Sequence, residues 1–285
     1  MAAARPNHRP WRIAVAALGV LCALVAGSAH GLRSEPGDDP QASPIWMKLR
    51  AGLFEGRPIS LAPPGMLTLE VPARAIDAAV VPVAIRTRLP ASASNHVSKL
   101  YLIIDANPSP ISAIFQFTPQ SGRAEVETRV RVDDYSQVRA IAEMSDGQLF
   151  ATSRFVKASG GCSAPAGSDP RVALASLGKM RLLVEGDLRG REPVAAQLMI
   201  DHPNHSGLAM DQATRQFTPA HYVRSVQVSA GDRLVFSADV DFSMSENPYF
   251  RFYFLPQGQA ELRATVVDSR ELRFGSVQAL RHVAP

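Results

Sequence analysis

Cysteine is almost absent from this chain. It has two among 285 residues, and one of them, Cys22, lies in a segment that reads as a removable leader. A disulfide framework inside the mature protein is thereby excluded, and no Cys-x-x-Cys pair is available for redox or zinc chemistry. Catalytic signatures are missing as well: there is no Gly-x-Ser-x-Gly, no His-Glu-x-x-His and no phosphate-binding glycine loop. Long apolar runs are limited to residues 13–25. That stretch follows Arg5, Arg9 and Arg12 and precedes Ala26-Gly27-Ser28-Ala29. Positive flank, short apolar centre and small residues are the features of a secretory signal peptide, with cleavage expected after Ala29. An uncleaved N-terminal anchor is the alternative. Leu21 before Cys22 does not suit a lipoprotein signal, which wants a small residue there.

Charge of one sign is also lacking once the leader is set aside. Of 30 basic side chains three are leader arginines, which leaves 27 against 26 acidic ones. No basic stripe interleaved with aromatics is apparent, so nucleic-acid binding has no electrostatic footprint. A periplasmic, nearly neutral protein is expected, with no membrane attachment after cleavage.

What is present is β pattern. Behind a spacer rich in Pro, Gly and Asp (30–44, expected disordered) and a short helix at 45–55, strands are predicted at 66–71, 79–86, 97–105, 111–118, 124–132, 136–144 and 148–156. A second set follows at 179–185, 194–201, 222–229, 233–240, 249–255, 260–268 and 272–278. Turn formers such as Asn107-Pro108, Asp146-Gly147 and Ala230-Gly231-Asp232 separate them. Residues 125–132 alternate charged or polar side chains with valines, as one buried face requires. The expected fold class is all-β: two immunoglobulin-like β-sandwich domains, 45–157 and 171–285, joined by a Gly-rich arm at 158–170.

That arm holds the remaining cysteine, in Ser159-Gly160-Gly161-Cys162-Ser163-Ala164-Pro165. Small residues cannot build a core, and adjacent glycines widen backbone freedom, so Cys162 reads as a displayed thiol on a flexible support of Gly160 and Gly161. A linker thiol without a role, or one forming an intermolecular disulfide, is the plain alternative. Three histidines, His202, His205 and His221, are able to gather, two of them in Asp201-His202-Pro203-Asn204-His205. Without a third ligand the metal signal is weak, and hydrogen bonds to loop backbone are the simpler reading. No metal and no cofactor are expected. Asp133-Asp134 reads as a solvated loop pair.

These residues carry a resemblance. Val156-Lys157-Ala158-Ser159-Gly160-Gly161-Cys162 is similar to the end of SoxY, whose C-terminal Gly-Gly-Cys-Gly-Gly arm bears the substrate cysteine. Asp201-His202-Pro203-Asn204-His205-Ser206-Gly207-Leu208, Pro219-Ala220-His221-Tyr222-Val223 and Asn247-Pro248-Tyr249-Phe250-Arg251-Phe252-Tyr253 resemble segments of SoxZ in the same order. The chain thus resembles a single-chain SoxYZ carrier, most like the group associated with quinoprotein dehydrogenases. The resemblance implies a non-enzymatic periplasmic carrier of sulfur (thiosulfate) oxidation, with Cys162 as the covalent attachment point. Its implied partners are sulfur-oxidising enzymes, c-type cytochromes and a quinoprotein dehydrogenase, and its two domains pair within one chain. The sequence departs from the family after the cysteine, where Ser163-Ala164-Pro165 replaces two glycines and a chain end. An arm tethered at both ends reaches roughly 12 Å. Three readings stand at this point: a covalent carrier, a non-covalent binding or assembly module for a quinoprotein dehydrogenase, and an enzyme. A base or oxyanion group beside the thiol is not identifiable for the last.

Overall fold

Alternation along each strand sets the architecture. In the stretch Val126–Val130, Val126, Thr128 and Val130 are buried while Glu127 and Arg129 face outward, so one face of a sheet is dry. The computed structural model describes residues 40–280 except 42, 90–93 and 212–213. The leader and most of the spacer lie outside the described residues. The elements run in order α1 (Pro44–Phe54), β1 (Ile59–Leu61), β2 (Leu67–Glu70), β3 (Val81–Thr87), β4 (Val97–Ile104), β5 (Ile111–Phe117), β6 (Val126–Val130), β7 (Ser136–Met144) and β8 (Leu149–Val156). After the arm come α2 (Pro170–Ser176), β9 (Met180–Glu185), β10 (Val194–Ile200), β11 (Val223–Ala230), β12 (Arg233–Val240), β13 (Tyr249–Phe254), β14 (Glu261–Asp268) and β15 (Arg273–Ala279). The all-β class is borne out, and each of the fourteen expected strands forms.

The two sandwiches do not stand apart. A nine-stranded sheet runs β1-β8-β7-β4-β5-β12-β11-β14-β15, and a six-stranded sheet runs β2-β3-β6-β13-β10-β9. Each sheet passes from the first half of the chain into the second. The halves join where β5 pairs with β12 and where β6 meets β13. One continuous apolar core fills the space between the sheets, from Leu100, Phe115 and Val130 to Phe236, Phe250 and Phe254. The halves are therefore connected by shared sheets and core, as well as by the arm.

The helix expected at 45–55 is α1. Ser43 caps it by accepting a hydrogen bond from the Trp46 amide (3.2 Å). Trp46 and Phe54 pack with Tyr101, Ile103, Ile141 and Leu149 in a second cluster. There Arg139 lies over the Trp46 ring and grips Asp105 with two hydrogen bonds (2.7 and 2.5 Å).

Candidate functional site

The end of β6 leads into Arg131-Val132-Asp133, and this stretch receives the arm. The Gly160 amide donates to the Asp133 carbonyl (2.7 Å) and the Gly161 amide to the Val132 carbonyl (3.1 Å). Gly160 has φ +76°, a conformation that suits glycine. Gly161 is needed for a different reason: a Cβ there would lie 2.1 Å from the Ala78 carbonyl oxygen and 2.5 Å from that of Val132. The glycine pair read as flexibility is instead what lets the arm turn and lie against neighbouring backbone.

Cys162 is consequently not displayed. It is a free thiol with 0% exposure, which corrects the expectation of an exposed sulfur on a mobile tether. Both halves of the chain grip its backbone. Its amide donates to Asp133 Oδ1 (3.1 Å), and its carbonyl accepts from Ser206 Oγ (2.5 Å). Further along, the Gly167 and Ser168 amides donate to the two carboxylate oxygens of Glu246 (2.6 and 3.2 Å). Arg131 Nη1 donates to the carbonyls of Gly161 (3.1 Å) and Ala164 (3.5 Å), on either side of the cysteine. Beneath this, Asn107 Nδ2 donates to the Arg131 carbonyl and to Ser243 Oγ, while its Oδ1 accepts from the Asp133 amide. Compositional smallness says nothing about docking when the partners lie elsewhere in the sequence, and Asp133 and Ser206 are such partners. Asp133, read as one of a solvated pair, is part of the grip.

Burial raises the Cys162 thiol to about 12, and the nearby Asp133 carboxylate adds to the rise while Arg131 opposes it. A thiol held this way is almost entirely protonated at neutral pH and a poor nucleophile. Chemistry at Cys162 requires the arm to leave its seat or the environment to change.

The histidines gather beside the arm. His221 Nε2 lies 2.7 Å and His202 Nε2 3.6 Å from Asp268 Oδ2, with the two rings edge to face at 4.6 Å. Asp268 is the third ligand-type residue that the sequence did not reveal. The donor set does not fit a metal well. His202 Nδ1 accepts the Asn204 amide hydrogen (3.0 Å), so the neutral ring carries its proton on Nε2, the atom a metal would need bare. Asp268 Oδ1 is already engaged by the Arg270 and Leu272 amides (2.8 and 2.9 Å). Burial first, and then the charge of His221, lower His202 to about 4. The cluster shapes loops: His205 and His221 also exchange backbone hydrogen bonds (2.8 and 3.0 Å). A cleft of about 230 Å³ is lined by Ala166 and Ser168 of the arm and by Pro203, His205 and His221. The arm and the histidine loops therefore share a wall.

Two family models match the chain. Residues 52–162 match the sulfur oxidation protein SoxY and residues 184–278 the sulphur oxidation protein SoxZ. Together they account for most of the chain, which belongs to the sulfur-oxidation carrier proteins. It is a SoxYZ-like fusion, a SoxY part and a SoxZ part in one polypeptide. The SoxY match ends on Cys162 itself. Among solved structures, the sulfur carrier protein SoxY from Chlorobium limicola f thiosulfatophilum is 25% identical, covering 39% of this chain and 89% of its own, with a TM-score of 0.33. No curated protein matches.

Proposed function

We propose that the protein is a periplasmic carrier that holds a sulfur compound covalently on the Cys162 thiol and presents it to partner enzymes of sulfur oxidation. The observation that carries this reading is the position of Cys162. It is the last residue of the SoxY part, and residues of both parts hold it, Asp133 from one and Ser206 from the other, with Arg131 holding the carbonyls of Gly161 and Ala164 on either side of it. A thiol can accept sulfur as a persulfide or mixed linkage and release it by exchange. In this reading the docked arm is a resting state that keeps the thiol protonated and away from stray oxidation. Delivery takes place with the arm released into a partner's active site, which supplies the activation that Cys162 lacks when docked, and loading takes place as the arm lifts, with Cys162 still beside Arg131. Sulfur-oxidising enzymes and c-type cytochromes are the proposed partners, and a quinoprotein dehydrogenase is the proposed link of this fused form.

The buried, unreactive thiol favours a second reading, a non-covalent binding or assembly module for such a dehydrogenase. Intact-mass spectra of the protein purified from its own host, with and without reductant and beside Cys162→Ser, separate the two. Reductant-sensitive additions in sulfur or sulfur-oxyanion steps, absent from the variant, are expected. A bare thiol under inducing conditions, with function kept by Cys162→Ser, would establish the binding module.

A further inference from the structure

Among the described residues two arginines are deeply buried, and they are partnered very differently. Arg139 is 3% exposed and forms its two-bond pair with Asp105. Arg131 is 2% exposed, and among the described residues no carboxylate lies within ion-pair distance of it. Among the described residues its Nη1 reaches only the carbonyls of Gly161 and Ala164, and its Nε is buried without a partner. A buried guanidinium left without an anion is costly, and an orphaned donor calls for a reason. Burial lowers its affinity for the proton, and the negative charge that would most offset this is that of an ionised Cys162 sulfur, ahead of Glu246 and Asp77. The guanidinium brackets the cysteine in the chain and couples to its sulfur in charge.

We propose that Arg131 reads the charge of what Cys162 receives, acting as the seat for an anionic group on the incoming reagent and on the adduct it leaves. The inference rests on Cys162 being an attachment site. The remaining charges near the sulfur have the opposite preference: Asp133 and Asp241 both disfavour negative charge there. Asp133 accepts the Cys162 amide and Asp241 Oδ2 accepts the Ser109 hydroxyl (3.1 Å). Without Arg131 the thiol would face two carboxylates and favour cations. Planar geometry and several donors suit a guanidinium to an oxyanion, and the free Nε–H is the donor available for it.

Two methanethiosulfonates of similar size, one ending in ethylsulfonate and one in ethyltrimethylammonium, test this on the intact protein. In either case the Cys162 sulfur attacks the sulfenyl sulfur and the reagent's S–S bond breaks. A new disulfide forms, methanesulfinate leaves with the bonding pair, and the thiol proton passes to water. Each labelling rate is divided by that for the urea-unfolded chain, which removes intrinsic reactivity. The lifting of the arm that uncovers the sulfur beside Arg131 is common to both reagents and cancels in their ratio. The normalised anion-to-cation ratio is expected to be about 10 or more. In Arg131→Gln it should drop below 1, and Arg131→Lys should keep it above 1. A wild-type ratio at or below 1 overturns the proposal without any variant, as does a ratio that Arg131→Gln leaves unchanged in a folded protein. Equal labelling by both reagents removes the role of Arg131 and leaves the carrier reading standing. Failure of both reagents to label folded protein over days removes both.

Discussion

The two seams between the halves are built differently. In the nine-stranded sheet β5 and β12 form a ladder of five residue pairs, from Phe236↔Phe117 to Val240↔Ala113. The seam is backed by Phe115, Phe117 and Phe236, all buried. In the six-stranded sheet only Arg251↔Glu127 pairs β13 with β6. The contact resumes at the isolated bridge Val130↔Met244. Side chains mend the gap: Arg251 pairs with Glu127 (3.0 Å) and Thr128 Oγ1 donates to the Tyr249 carbonyl (2.7 Å). The arm docks just beyond this second seam, on Arg131, Val132 and Asp133. One seam is backbone and hydrocarbon. The other is polar, specific and local, which is where a segment that must come and go is best placed.

Breaking the first seam should have the largest effect. Phe236 is 1% exposed and its ring meets those of Phe252 (4.8 Å between centroids) and Phe117 (6.2 Å). Phe236→Ala should cost about 3–5 kcal/mol. Because both halves share the core, the loss should appear as one shifted transition. Urea unfolding followed by Trp46 fluorescence, in the first half, and by far-ultraviolet circular dichroism checks this. Transitions that separate, with Trp46 unmoved, would show that the halves are independent.

The histidine loops behind the second seam should respond to pH, whereas the hydrocarbon seam should not. His202 has a folded value of about 4 against an ordinary 6.5. Between those pH values the unfolded chain takes up a proton that the folded protein refuses, so stability falls as pH drops through this window. Holding this buried ring neutral therefore contributes roughly 3 kcal/mol at pH 7 that is lost by pH 4. Burial lowers His205 too, which adds a loss of the same sign. His202→Asn, which keeps an acceptor near the Nδ1 position, should flatten the stability–pH slope by about one proton. Urea midpoints at pH 7 and pH 4.5 that change equally in both proteins would count against it.

Strand positions were legible because burial alternates locally: the expected 136–144 is β7 residue for residue, and others end within two residues of prediction. β1 escaped notice because three residues give no period, and α2, just past the arm, because its seven residues span only about two turns. Cys162 stood out by rarity. Its burial did not, since that depends on Ser206 and Glu246, ordinary residues far along the chain. Asp268 was equally silent, a strand-end aspartate that joins the histidines only through the fold. The glycine pair was misread because a missing side chain serves mobility and close packing equally well, and only the neighbours decide which.

That ambiguity supports the finest test of the second seam. At Gly161 a methyl group would collide with backbone oxygen atoms of Ala78 and Val132, which no side-chain rotation can relieve. Gly161→Ala should therefore unseat the arm while leaving the apolar core between the sheets intact. Gly160→Ala has room for its methyl, the nearest atom being Ser163 Oγ at 3.7 Å, and suffers only from the positive φ, roughly 1 kcal/mol. Released, Cys162 loses the burial that raises it and returns toward the ordinary thiol range near 8.5. At pH 8 its reaction with a neutral disulfide reagent should speed up about tenfold or more in Gly161→Ala and only a few-fold in Gly160→Ala. Equal, unaccelerated rates in both variants would mean that the glycines do not hold the arm down and that the thiol is shielded by something other than docking.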